Sequence, residues 1–106
     1  MHIGLGIQLA NLDRRVSDAA VYDLELGMAA QAEQRGFDSV FLSEHHFSDY
    51  QLTSQQTMVL SWLAGQTTTL RLGTMVTVLP WNDPVRVAEA FSVLDHLSGG
   101  RAVLGL

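Results

Sequence analysis

The chain has 106 residues, 47% of them apolar and 16% charged, the balance of a packed globular domain and not of a disordered or fibrous segment. A net charge of −5, with no lysine and the arginines scattered, excludes the clustered positive charge that nucleic acid or an anionic membrane requires, and no stretch approaches the roughly 20 apolar residues of a membrane-spanning helix. Without cysteine there is no disulfide framework, thiolate metal site or thiol nucleophile, which is compatible with a reducing cytoplasm, and Met1–Leu12 lacks the basic start of a signal peptide.

Ile3–Leu9 reads as a short apolar strand and Val21–Arg35 as a helix, with Val21, Leu24, Met28 and Ala32 sharing one face and Gly36 ending it in a left-handed residue. Ser39–Ser43 is strand-like again. Thr53 with Gln56 three residues on has capping-box spacing and predicts the start of a second helix with Val59, Leu60 and Leu63 as its buried stripe. The β-branched run Leu70–Leu79 suits a buried parallel strand, apolar on both faces. Asp83 as N-cap, Pro84 at the first helical position and Gly99-Gly100 at the close bound a third helix, whose inner face is Val87, Ala90, Phe91, Leu94 and Leu97. Ala102–Leu106 begins a fourth strand.

The order strand-helix three times and then a strand, one unit per roughly 30 residues, predicts an α/β fold of right-handed parallel crossovers. Periodicity leaves both a small doubly wound sheet and half of an eight-stranded barrel open. The dinucleotide fingerprint is missing, because Gly4 and Gly6 lie inside the first strand with no third glycine at the required spacing, and without lysine there is no Walker-type phosphate loop.

Four segments carry a family resemblance: FLSEHHF (Phe41 to Phe47), GTMVTVLP (Gly73 to Pro80), PVR-x-AE (Pro84 to Glu89) and LDHLSGGRAVLGL (Leu94 to Leu106). In this order, along essentially the whole chain, they resemble the bacterial luciferase-like family of flavin-dependent monooxygenases. The resemblance implies the N-terminal half (βαβαβαβ) of a TIM (β/α)8 barrel, residues 1–106 forming an incomplete barrel domain of three βα units and the fourth strand; a whole barrel takes about 250 residues. It further implies reduced FMN and dioxygen as co-reactants, a small organic substrate and a reductase that supplies the flavin. A deazaflavin-dependent oxidoreductase on the same barrel is the runner-up. A non-catalytic half-barrel is a third reading, because unpaired edge strands invite pairing with a second copy or with a separate second half.

Glu44, His45 and His46 follow the second strand at its C-terminal end, where barrel active sites are assembled. An imidazole there can pass a proton near neutral pH. Taken alone, the triplet reads as polar residues capping a strand. The resemblance makes His45 a catalytic residue and puts Glu44 near the flavin ring, with His46 as a second catalytic candidate. Adjacent histidines do not converge on zinc as an i, i+4 pair does. Gly73–Val76 falls inside the predicted third strand, and by itself would be ordinary strand packing. The resemblance adds a bulge with a non-prolyl cis peptide at Met75-Val76 that supports the flavin, making Thr74, Met75 and Val76 cofactor-binding residues, although Met75 is longer than the small residues often found there. Trp81 and Asn82 lie near the expected pocket mouth, Arg86 and Glu89 form a helix-surface ion pair, and Arg101, which precedes the fourth strand, belongs to the opposite end.

Overall fold

The computed structural model describes residues 1–106. Four parallel strands, β1 (Gly4–Ile7), β2 (Ser39–Leu42), β3 (Arg71–Thr74) and β4 (Ala102–Val103), lie side by side in chain order. Between them run α1 (Asp18–Ala30), α2 (Gln56–Gln66) and α3 (Pro84–Ser98). The register aligns Leu5 with Val40, Val40 with Leu72 and Leu72 with Ala102. Strictly sequential order decides between the two architectures that periodicity left open: right-handed crossovers repeated in one direction put every helix on the same sheet face, whereas a doubly wound sheet reverses direction and covers both. Here α1 packs on α2 and α2 on α3, so one face is clad and the other is left to curve inward as a barrel wall.

The two faces differ in chemistry accordingly. On the clad face Ile7, Val40, Leu42 and Leu72 meet Ala29, Leu60, Leu63 and Leu94 in a single apolar cluster. The opposite face carries Gly4, Gly6, Phe41 and Gly73, alternating with the first set as a pleat requires. Phe41 occupies this face because its neighbours have no side chains. A Cβ at Gly73 would strike the Phe41 ring, and one at Gly4 would come 2.8 Å from Ser39 Oγ and 3.6 Å from that ring. One large residue among small ones is how a narrow barrel interior is filled.

Several boundaries move from their sequence expectations. Ser17, whose hydroxyl accepts from Ala20 N at 3.2 Å, starts α1 earlier than Val21. The helix ends at Ala30, and Glu33–Arg35 is a separate 3-10 turn closed by Gly36 at φ 84. The predicted stripe is half right: Val21 and Ala32 are buried, but Leu24 and Met28 are 62% and 44% exposed, and Ala29 is buried instead. The inward face is turned toward Tyr22, whose hydroxyl donates to Leu52 O at 3.1 Å and fixes the helix rotation. In α3, Leu97 is exposed and Ser98 buried. Asp83, Pro84 and Gly99 bound that helix as predicted, with Asp83 Oδ1 accepting from Val85 N at 2.9 Å and Arg86 N at 3.2 Å. The Thr53–Gln56 capping box is absent, since α2 starts at Gln56 with no side-chain cap. β1, β3 and β4 are all shorter than predicted, and β3 ends at Thr74, so Met75 and Val76 follow the strand and do not lie within it.

Two polar ties hold the N-terminal end of the sheet. The Arg101 guanidinium donates to the carbonyls of Ala64, Thr67, Leu70 and Ser98, closing the end of α2. Glu33 accepts from the amides and hydroxyls of both Thr68 and Thr69 at 2.6–3.0 Å. The Thr68 hydroxyl foremost, then that of Thr69, lowers the Glu33 pKa to about 2. A carboxyl with a depressed folded pKa stabilises fully above its ordinary value and loses that contribution as pH falls through the folded one. Urea midpoints of wild type should therefore fall between about pH 4.5 and pH 2 more steeply than those of Glu33→Gln; parallel curves would show that the contact does not act on stability. No helix is long and apolar enough to cross a membrane.

Candidate active site

The C-terminal ends of β2 and β3 converge on one buried carboxylate. Beyond Leu42 the chain runs through Ser43 to Glu44, which is buried although charged. Its Oε1 accepts from His46 Nε2 at 2.7 Å and from Asn82 Nδ2 at 2.8 Å, and its Oε2 accepts from Val78 N at 2.9 Å. Burial by itself would raise the Glu44 pKa, but the Val78 amide, His46 and Asn82 together outweigh it and hold the carboxyl below the usual carboxylate range. Glu44 thus remains an anion and locks the loop after β2 to the loop after β3. Asn82 also donates to Val78 O at 2.9 Å, so its carboxamide closes the second loop on itself.

His46 is fixed on two sides. Beyond its bond to Glu44, its ring stacks on the indole of Trp81, centroids 4.9 Å apart and planes 14° from parallel. His45 is placed differently. Its backbone N–H donates to Thr53 O at 3.0 Å, and its exposed ring meets Tyr50 edge-on at 5.1 Å. Both histidines line an open cleft of about 450 Å³ together with Arg14, Phe47, Ser48 and Gln51. Arg14 and Phe47 adopt left-handed backbone there, with φ of 48° and 51°, a conformation that non-glycine residues keep mainly where surrounding structure demands it.

Beside this cluster the third strand breaks step. Met75 N donates to Leu42 O at 2.8 Å and Thr77 N to Gly105 O at 2.8 Å, so pairing moves from β2 to the segment after β4 across two residues. The Met75-Val76 peptide bond is cis. Met75 and Val76 are 56% and 44% exposed, and the nearest atom to a Cβ built on Gly6 would be Met75 Cε at 3.8 Å. An exposed apolar ledge, with a glycine beside it and only the Met75 methyl near that glycine, fits a planar aromatic ring system such as a flavin. Thr74 is not on that ledge. It is buried, and its hydroxyl exchanges hydrogen bonds with the Gly105 backbone at 3.0 and 3.1 Å.

The predicted residues therefore divide into a packed pair, Glu44 and His46, a cleft residue, His45, an open ledge, Met75 and Val76, and a buried strut, Thr74. Sequence reasoning placed Asn82 in the right loop but gave no sign that it would hold Glu44 across 38 positions. It also assigned Gln56 to a helix cap, although its carboxamide points to the strand ends.

A luciferase-like monooxygenase of Escherichia coli K12 is 34% identical over 100 residues, covering 94% of this chain and 30% of that protein. The alkanal monooxygenase alpha chain of Photorhabdus luminescens is 40% identical over 75 residues, covering 71% of this chain and 21% of the other. Among solved structures, the oxygenating constituent of 3,6-diketocamphane monooxygenase from the CAM plasmid of Pseudomonas putida, a type II Baeyer-Villiger monooxygenase in complex with FMN, superposes with a TM-score of 0.87. That match is 25% identical and covers 98% of this chain and 28% of that one. The chain spans 26% of the length of other curated relatives, and its strands and helices are an arc of TIM-barrel wall. The luciferase-like monooxygenase family matches residues 1–106 from end to end, and the chain belongs to it.

Proposed function

We propose that the protein carrying this barrel segment is a flavin-dependent monooxygenase that uses reduced FMN and dioxygen to oxygenate a small organic substrate. The observation that carries the reading is the adjacency, at the C-terminal ends of β2 and β3, of an open apolar ledge (Met75, Val76) and a buried carboxylate-histidine pair (Glu44, His46). The FMN complex of the diketocamphane enzyme, whose fold this chain shares, supports FMN over a deazaflavin. Bound reduced FMN supplies the electrons that split dioxygen, one oxygen atom going to the substrate and the other to water.

The residues of this chain have separable tasks. Met75 and Val76 support the ring from one side and, being apolar, keep water from that surface. Glu44, held as an anion, orients His46 and fixes the tautomer of its imidazole, while Trp81 packs against the ring and prevents it from turning. His45, facing the open cleft, is the group free to give or take a proton at the substrate. The remaining units of the barrel would hold the flavin phosphate and cover the outer edges of β1 and β4, a separate reductase would supply reduced flavin, and pairing with a second copy is the expected assembly.

The test is cofactor choice in the full-length protein. FMN should quench on binding with a micromolar Kd, and the reduced complex should consume dioxygen in step with oxidation of a straight-chain aldehyde probe. Preferential binding of a deazaflavin, with hydride transfer indifferent to oxygen, would replace the monooxygenase reading with the oxidoreductase one.

A further inference from the structure

The ledge formed by Met75 and Val76 follows the last regular residue of β3; Met75 N is still held by Leu42 O at 2.8 Å, and Val76 is held from a second direction. Val76 offers its carbonyl to one donor, the Gln56 carboxamide, at 3.1 Å. The same Nε2 donates to Leu42 O, the last residue of β2, at 2.6 Å. Gln56 is the first residue of α2 and is buried, and its amide nitrogen serves two carbonyls, one at the end of β2 and one two residues past the end of β3. Its carbonyl side continues the tie. The Thr77 hydroxyl lies 3.5 Å from Gln56 Oε1 and 3.1 Å from the Thr74 hydroxyl, which in turn bonds the Gly105 backbone. A single chain of side-chain contacts therefore runs from β2, through α2, to the segment after β3 and on to the segment after β4.

We propose that Gln56 is a positioning residue for the cofactor: its carboxamide anchors the ledge that Met75 and Val76 present, through Leu42 O and Val76 O, without touching the flavin itself. The proposal rests on the flavin reading above. A group that fixes a binding surface from behind acts through preorganisation, so its loss frees the ledge and weakens binding without removing any contact to the ligand.

The experiment uses the full-length protein and two nearly isosteric variants, Gln56→Met, which keeps the packing but donates nothing, and Gln56→Glu, whose carboxylate donates only when protonated. Amide hydrogen exchange is read at Thr77 and Val78, whose N–H groups bond Gly105 O and Glu44, beside FMN affinity by fluorescence quenching. In Gln56→Met both amides should exchange roughly tenfold faster while those inside α2 keep their protection, and FMN should bind about tenfold more weakly. Gln56→Glu should be at least as impaired near about pH 8, where an ionised carboxylate faces the two carbonyl oxygens, and should recover part of the protection and affinity near about pH 4, where the carboxyl regains an O–H. Unchanged exchange at Thr77 and Val78 in Gln56→Met overturns the proposal whether or not flavin binds. Loss of protection throughout α2, with no recovery in Gln56→Glu at low pH, also overturns it, because Gln56 then only packs the helix. A wild-type protein that binds no FMN overturns the cofactor role together with the flavin reading, a result the unmutated protein gives by itself.

Discussion

Glu44→Ala is expected to cost the folded protein roughly 2–4 kcal/mol and to abolish measurable FMN binding. The reason is the number of groups that Glu44 satisfies: the Val78 amide, the Asn82 carboxamide and His46 all donate to it. Each buried donor left without an acceptor costs about 1–3 kcal/mol, reduced where water can enter the space that the side chain vacates. The loops after β2 and β3 would then part, taking the ledge with them. Glu44→Gln should be milder, since one oxygen still accepts from Val78 while the new amide nitrogen faces the Asn82 and His46 donors. It should also change the pH dependence. The wild-type carboxyl is held below the usual range, so its stabilisation is complete above about pH 4.3 and declines as pH falls through the folded value; the glutamine variant lacks that decline. Urea unfolding from about pH 7 down to about pH 3, with FMN titration at neutral pH, checks both. A wild-type urea midpoint in Glu44→Ala would mean that the three donors find other partners and that Glu44 is not the link between the loops.

Local chemistry made some parts of this structure readable and left others hidden. The bounds of α3 were legible because Asp83, Pro84 and Gly99 act within a few residues of themselves: a carboxylate on two free amides, a ring with no N–H to lose, a glycine at φ 69. Thr53 and Gln56 present an equally local pattern and it failed. The carbonyls of Leu42 and Val76, 14 and 20 positions from Gln56, compete for its carboxamide and win, while the Thr53 hydroxyl is left buried without a partner. The face of α1 was misjudged for a similar reason, since Tyr22 is turned inward by a carbonyl 30 residues away. The site divides along the same line. The Glu-His-His triplet announces itself by composition at a strand end, but which histidine meets the glutamate depends on the turn that follows β2, where Phe47 takes a left-handed conformation. Asn82 was placed near the pocket mouth, but nothing in the sequence marks it as the partner of Glu44, because an asparagine beside Asp83 and Pro84 reads as part of a turn.

The two histidines, adjacent in sequence, are expected to fail in different ways. His45→Ala should lower kcat with an aldehyde probe by about a hundredfold or more, the size of a lost acid-base group, while FMN affinity and Tm stay near wild type, since the ring's one aromatic partner is Tyr50 at the edge of the cleft. His46→Ala should lower kcat as well, but with weaker FMN binding and a lower Tm, because it removes a donor to the buried Glu44 and the ring on which Trp81 stacks. Such a stacked pair contributes about 0.5–1.5 kcal/mol beyond the area it buries. Free imidazole separates the cases further. It can enter the open cleft that both rings border and should restore part of the rate to His45→Ala, whose ring needs no fixed orientation, whereas the ring lost in His46→Ala is held by Glu44 and Trp81 and a freely turning imidazole does not replace it. Full kcat in His45→Ala would remove it as the proton carrier and pass that role to the Glu44-His46 pair. Unchanged FMN affinity and Tm in His46→Ala would instead show that the carboxylate holds the two loops together through Val78 and Asn82 alone.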